Sequence, residues 1–138
     1  MYRLIKPLTL FTTGGAVYTV IELLWRGNTH WTMFIVGGFC FALIGAINEH
    51  YTYDMALASQ MIISALIITA VEYVAGVVVN AWLGWDVWDY SLMPYNLHGQ
   101  ICLLYSCLWA LLSLPGIVLD DWLRHWLFGE EKPHYKIL

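Results

Sequence analysis

Four long apolar stretches are packed into 138 residues, each interrupted by Gly, Thr, Asn or Glu rather than by runs of charge. They run about Leu8–Leu24, Met33–Asn48, Ala56–Asn80 and Gly99–Leu119. A bilayer core about 30 Å thick asks for about 20 helical residues, with about 17 as the lower bound. The second stretch sits at that bound and the others meet it. A soluble bundle fits poorly. The chain is 60% hydrophobic and 12% charged, about half the charged share of an ordinary soluble domain. The expected fold is therefore all-α: an integral membrane four-helix bundle forming one transmembrane domain over residues 1–138, with residues 120–138 as an interfacial tail.

Cations set the expected orientation. Arg3, Lys6, Arg124, Lys132 and Lys136 fall on the side shared by both termini, and only Arg26 lies opposite. Both termini are expected in the cytoplasm, at the cell membrane. No basic patch points to nucleic acid. Arg3 and Lys6 before an apolar run resemble a secretory signal, but no small-residue cleavage site follows, so the run reads as a retained first span. The cysteines, Cys40, Cys102 and Cys107, all fall inside spans and read as small packing residues.

Small residues recur at helical spacing: Gly38, Ala42 and Ala46; Ala65, Thr69, Glu72, Gly76 and Asn80; Gly99, Ser106, Ala110 and Ser113. Such stripes let helix backbones approach closely. They do not separate contacts within a chain from contacts between copies.

The sharpest chemical signal is Glu22 and Glu72. A carboxylate inside a membrane costs several kcal/mol unless it is paired, protonated or solvated. Arg26 follows Glu22 by one turn, the favourable order for an ion pair. Glu72 has no cation at helical spacing. Ala81–His98 is the second signal, with Trp82, Trp85, Trp88, Tyr90 and Tyr95 among turn residues. It reads either as an interfacial aromatic belt between helices three and four or as a re-entrant loop, its backbone satisfied by Asp86, Asp89, Ser91, Asn96 and His98. Glu22 and Glu72 are each followed by Gly and a Trp-containing connection, a loose hint of a duplicated two-helix unit. Glu49-His50 with Asp54 reads as a solvated loop at the opposite end. Pro115–Phe128, with Asp120, Asp121, Arg124 and His125, reads as a short amphipathic interfacial helix.

The run Glu22-Leu-Leu-Trp-Arg26-Gly27-Asn-Thr-His30-Trp-Thr-Met33, then Gly37-Gly38 and Asn48-Glu49, resembles the CmpB-like family of ABC-transporter type IV permeases. So does Glu72-Tyr-Val-Ala-Gly76, Asn80, Trp88-Asp89-Tyr90-Ser91, Pro94, Asn96 and Gly99-Gln100-Ile101-Cys102 leading to Trp109. That family also takes in small eukaryotic multi-pass membrane proteins. The resemblance covers about Tyr18 to Leu112 and implies transport. The chain carries no Gly-x-x-x-x-Gly-Lys-Ser/Thr loop, so ATP use would need a separate ATPase subunit.

The expected function is a transporter permease or channel-like subunit with an outward-facing polar site made of Glu22, Arg26, His30, Glu72, Asn80, Asp89, Asn96, His98 and Gln100. Four helices enclose little volume, so a homo-oligomer is expected, with the lipid bilayer as the other partner and no cofactor. The alternatives are a structural or assembly partner in a membrane complex and, further off, an intramembrane enzyme. For the latter, His30, His98 and the glutamates would be acid–base or metal groups, but no H-E-x-x-H spacing supports it.

Overall fold

The computed structural model describes residues 2–51 and 55–137, with the side chains of Tyr2 and residues 48–51 excepted. The expected Glu49-His50-Asp54 cluster and the Asn48 and Glu49 side chains lie outside the described residues. Helix α1 spans Tyr2–Arg26, α2 Trp31–Tyr51, α3 Leu57–Gly76 and α4 Leu103–Phe128. The helix of α3 widens into a π-helical turn, Val77–Trp82, before the chain enters a long loop. Inside that loop Asn96–Leu97 (β1) and Ile101–Cys102 (β2) form a minimal antiparallel pair. The all-α bundle is as the apolar stretches require. Among the described residues α1, α3 with its π turn, and α4 are long and apolar enough to cross a membrane, and Trp31–Ile47 is a shorter apolar segment of α2.

Glycine and aromatic residues, not the spacing of alanines, fix the α1–α2 pair. The sequence Phe11-x-x-Gly14-Gly15-x-x-Tyr18 on α1 faces Phe34-x-x-Gly37-Gly38-x-x-Phe41 on α2, and the two helices run antiparallel. A methyl group at Gly38 would come within 2.6 Å of the Phe11 carbonyl, one at Gly15 within 2.6 Å of the Phe34 carbonyl. One at Gly37 would come within 2.6 Å of Tyr18 Cβ, and one at Gly14 would overlap Phe41. Each helix thus offers the other a bare backbone flanked by two rings, the close approach that drives helix association in lipid. Gly38 belongs to this face, but Ala46 is exposed. The stripe runs instead through Gly37, Phe41, Ile44 and Gly45.

On α3 the buried face is Gln60, Ser64, Glu72 and Gly76, and Thr69 hydrogen-bonds Ser106 of α4 at 2.8 Å. Cys40 and Cys102 are buried, whereas Cys107 is exposed. Helix α4 begins at Leu103, and Gly99–Cys102 belongs to the loop. It then runs through Pro115 to Phe128 without a break. The segment expected as an interfacial helix is its last turns, and Asp120, Asp121 and Arg124 are buried in the bundle. Asp120 pairs with Arg124 at 2.7 Å and lies against Gly45 of α2, where a Cβ would collide with its carboxylate.

The tail end is closed by the chain's last described residues. Helix α3 has no side-chain N-cap at Ala56. Its first amides donate instead to tail carbonyls, Leu57 N–H to Lys136 O at 2.6 Å and Ala58 N–H to Ile137 O at 3.2 Å. Helix N-termini leave such donors without intrahelical acceptors. Lys6 of α1 ties the same tail through Glu130 at 2.6 Å, and the Tyr135 hydroxyl donates to Asp121 at 2.9 Å.

Candidate functional site

At the opposite, loop end, α1, α4, the loop and Met33 of α2 surround a cavity of about 570 Å³. It exists because the helices pair unevenly: α1 packs extensively on α2 and α3 on α4, while α1 meets α4 only sparsely. The gap between them is lined by Tyr18, Ile21, Glu22, Trp25 and Arg26 of α1 and by Tyr105, Leu108, Trp109, Leu112 and Pro115 of α4. The loop roofs it with Trp88, Asp89, Tyr90 and Met93. A smaller apolar cavity of about 150 Å³ lies next to it and shares Tyr18, Ile21, Met33, Trp109, Leu112 and Pro115; Glu72 lines that one.

The i,i+4 pair expected from the sequence is formed, with Arg26 Nη1 donating to Glu22 Oε1 at 2.6 Å. Thr29 adds a hydrogen bond to the other Glu22 oxygen at 3.1 Å. Arg26 Nη2 reaches the Val87 carbonyl at 2.9 Å, so the same guanidinium ties α1 to the loop. Glu72 is buried and receives hydrogen bonds from Trp109 Nε1 and from the Tyr90 hydroxyl, both at 3.4 Å. None of the ion pairs among the described residues includes it. Burial, with the Glu72 charge next, pushes the Tyr90 hydroxyl well above its ordinary range, which keeps it a donor. Asp89 lies open at the rim, where the Ser91 hydroxyl and backbone N–H hold its carboxyl below the usual range.

The other expected site residues are placed differently. Asn80 and Gln100 bond each other at 2.9 Å. Asn80 Oδ1 also accepts the amides of Val87 and Trp88 at 2.7 and 3.4 Å. Asn96 holds its own turn, donating to the Met93 carbonyl at 2.8 Å and accepting from Gly99 N–H at 3.0 Å. These amides shape the roof and do not line the cavity. His30 bonds Thr32 and lies against Trp31 and Trp85, with ring centroids 5.5 and 5.8 Å away. His98 bonds the Tyr73 hydroxyl at 2.8 Å on the exposed side of α3. Of the nine, Glu22, Arg26 and Asp89 meet at the cavity and Glu72 stands behind its wall.

The residues that sequence reasoning missed are the aromatic walls. Tyr18 lies 5.9 Å from Trp109, and Tyr90 stacks on Tyr105 at 4.9 Å with the rings 10° from parallel. Tyr105 and Trp109 stand one helical turn apart on α4, and Trp109 lies inside the apolar span rather than at its edge, which is the signal that could have found them. The loop is held in a strained course. Asp86, Tyr95 and His98 all have positive φ, at 50°, 55° and 54°, a region side chains seldom enter. Gly99, at φ 71°, sits where a Cβ would come within 2.7 Å of Ser91 Oγ.

The arrangement is that of a membrane helical bundle with a cavity under a folded cap. The profile of the family described as putative ABC-transporter type IV matches residues 4–128, and the chain belongs to that family. Family and apolar helices together make it a membrane protein with a transporter-like role. No significant match was found among curated proteins or among solved structures.

Proposed function

We propose that the chain is a permease-type subunit of a cell-membrane transporter, crossing the bilayer with all its helices and keeping both termini in the cytoplasm. The cavity under the loop is its outward-facing ligand site. One observation carries this reading: Glu22 and Arg26 from α1 and Asp89 from the loop, 63 positions apart between Arg26 and Asp89 in sequence numbering, line a single cavity of about 570 Å³, a size suited to a small-molecule ligand. Intramembrane carboxylates mark ligand and ion paths more often than scaffolding. ATP would be supplied through a separate ATPase subunit. A path through the whole membrane would need a second copy, because the cavity is lined mainly by α1, α4 and the loop and stops at Pro115.

Asp89→Asn is the test, because Asp89 lines the cavity itself. Its two donors, the Ser91 hydroxyl and N–H, are neutral, so the amide strands no cation. The melting temperature of the detergent-purified variant should fall by no more than about 4 °C. A panel of small solutes screened by thermal shift supplies ligands, and those that stabilise the native protein should lose their effect on the variant. A fall well beyond that range would assign Asp89 to structure and overturn the site reading. A panel without hits, with no solute flux in vesicles, would leave the assembly-partner role in its place.

A further inference from the structure

We propose that the cavity between α1 and α4 takes a lipophilic organic cation, its cationic head under the loop and its apolar body along α4. This rests on the reading of the cavity as a ligand site and adds the chemical class. Polarity along the cavity is graded. Glu22, Arg26 and Asp89 stand at the loop end, and Ile21, Leu108, Leu112 and Pro115 continue away from it. A molecule that fills both parts is amphiphilic.

The sign of its charge follows from which groups are already engaged. Arg26 directs one nitrogen at Glu22 and the other at the Val87 carbonyl. Trp88 Nε1 donates to the Gln100 carbonyl at 2.9 Å, and Trp109 and Tyr90 donate to Glu72. An anion at Arg26 would have to compete with the buried Glu22 carboxylate for the same guanidinium, which is expensive. Aromatic surface and the second oxygen of the exposed Asp89 carboxylate remain open to a ligand. The charged side chains lining the cavity are Glu22, Arg26 and Asp89, so −1 + 1 − 1 gives a formal −1. Tyr18, Trp25, Trp88, Tyr90, Tyr105 and Trp109 line it as well. Several ring faces beside a carboxylate are how proteins hold ammonium and related cations.

The test uses tetraphenylphosphonium and tetraphenylborate, which share size and shape and differ in sign. Binding to the full chain is measured in phosphatidylglycerol nanodiscs, with empty discs subtracted. Tetraphenylphosphonium should bind saturably and tetraphenylborate should not. Tyr90→Leu and Tyr105→Leu should each weaken binding by about tenfold, Tyr90→Phe should keep it, and Trp126→Leu at the tail end should have no effect. Tyr105→Leu and Asp89→Asn cover the case in which Tyr90→Leu fails to fold, and Asp89→Asn should weaken binding severalfold. Repeating the titration in discs of phosphatidylcholine and of phosphatidylethanolamine, each with the same share of phosphatidylglycerol, separates two sources of the same chemistry at equal surface charge. Weaker apparent binding in the phosphatidylcholine discs means that choline headgroups of the bilayer occupy the site, and equal binding points to soluble cations. Tetraphenylborate binding that Tyr105→Leu abolishes would overturn the cation class and leave the ligand site standing. Saturable binding of neither ion would overturn the proposal, while the ligand site itself stands or falls on the Asp89→Asn solute screen.

Discussion

Gly76 sets how near the loop can come to α3. A Cβ there would lie 2.5 Å from Gln100 Oε1 and 3.0 Å from both Gln100 Cβ and the Trp88 ring. Gln100 holds Asn80, and Asn80 holds the amides of Val87 and Trp88, so the displacement would travel into the cavity roof. Gly76→Ala should destabilise the protein by about 1–3 kcal/mol, the usual range for overpacking. Thermal melting reads the loss, and acrylamide quenching should reach Trp88, which is only 6% exposed in the native state. At this scale the sequence was partly legible. Glu22 and Arg26 could be paired from their spacing because one helix carries both. The partners of Glu72 lie 18 and 37 residues away, on the loop and on α4, where no spacing rule reaches. Asn80, Asn96 and Gln100 looked like ligand groups because an amide that braces backbone and one that binds solute have the same composition.

Between elements, the α1–α2 crossing depends on four glycines facing four rings. Gly14→Ala should cost about 1–3 kcal/mol, because its methyl overlaps Phe41 and neither helix can retreat without opening the other three contacts. Phe41→Leu in the same chain should recover part of that loss, and a double-mutant cycle on melting data measures the coupling. Strictly additive effects would show that the two residues do not meet. The repeated aromatic-x-x-Gly-Gly-x-x-aromatic pattern was present in the sequence, but a search for small residues every fourth position passes over adjacent glycines. Pro115–Phe128 was misread for a different reason. Its charges suggest an interfacial face, yet Asp120 and Arg124 satisfy each other one turn apart, and Gly45 leaves room for them inside. The tail strap over α3 had no sequence signal at all, since its bonds are backbone to backbone.

Across the whole molecule, the proposed orientation is open to a direct check. In a chain whose native cysteines are replaced, Leu92→Cys, at a fully exposed position of the loop, should react with an impermeant maleimide in intact cells. Lys136→Cys should react only after permeabilisation. The opposite pattern would invert the topology and make the cavity face the cytoplasm. The number of helices and their apolar character were readable from composition and length. The cavity was not, because it arises from the uneven pairing of α1 with α4, a property of the assembled bundle.

The α1–α2 crossing has one more implication. Because the two helices carry the same pattern and meet head to tail, each face is complementary to itself as well as to its neighbour. A newly made α1 could therefore dock on another copy's α1 lying in the opposite sense. In the orientation proposed above, insertion biased by Arg3 and Lys6 would give every copy the same sense, and such homotypic pairs would not form. The handful of terminal cations would thus also guard the chain against pairing with the wrong partner during biogenesis.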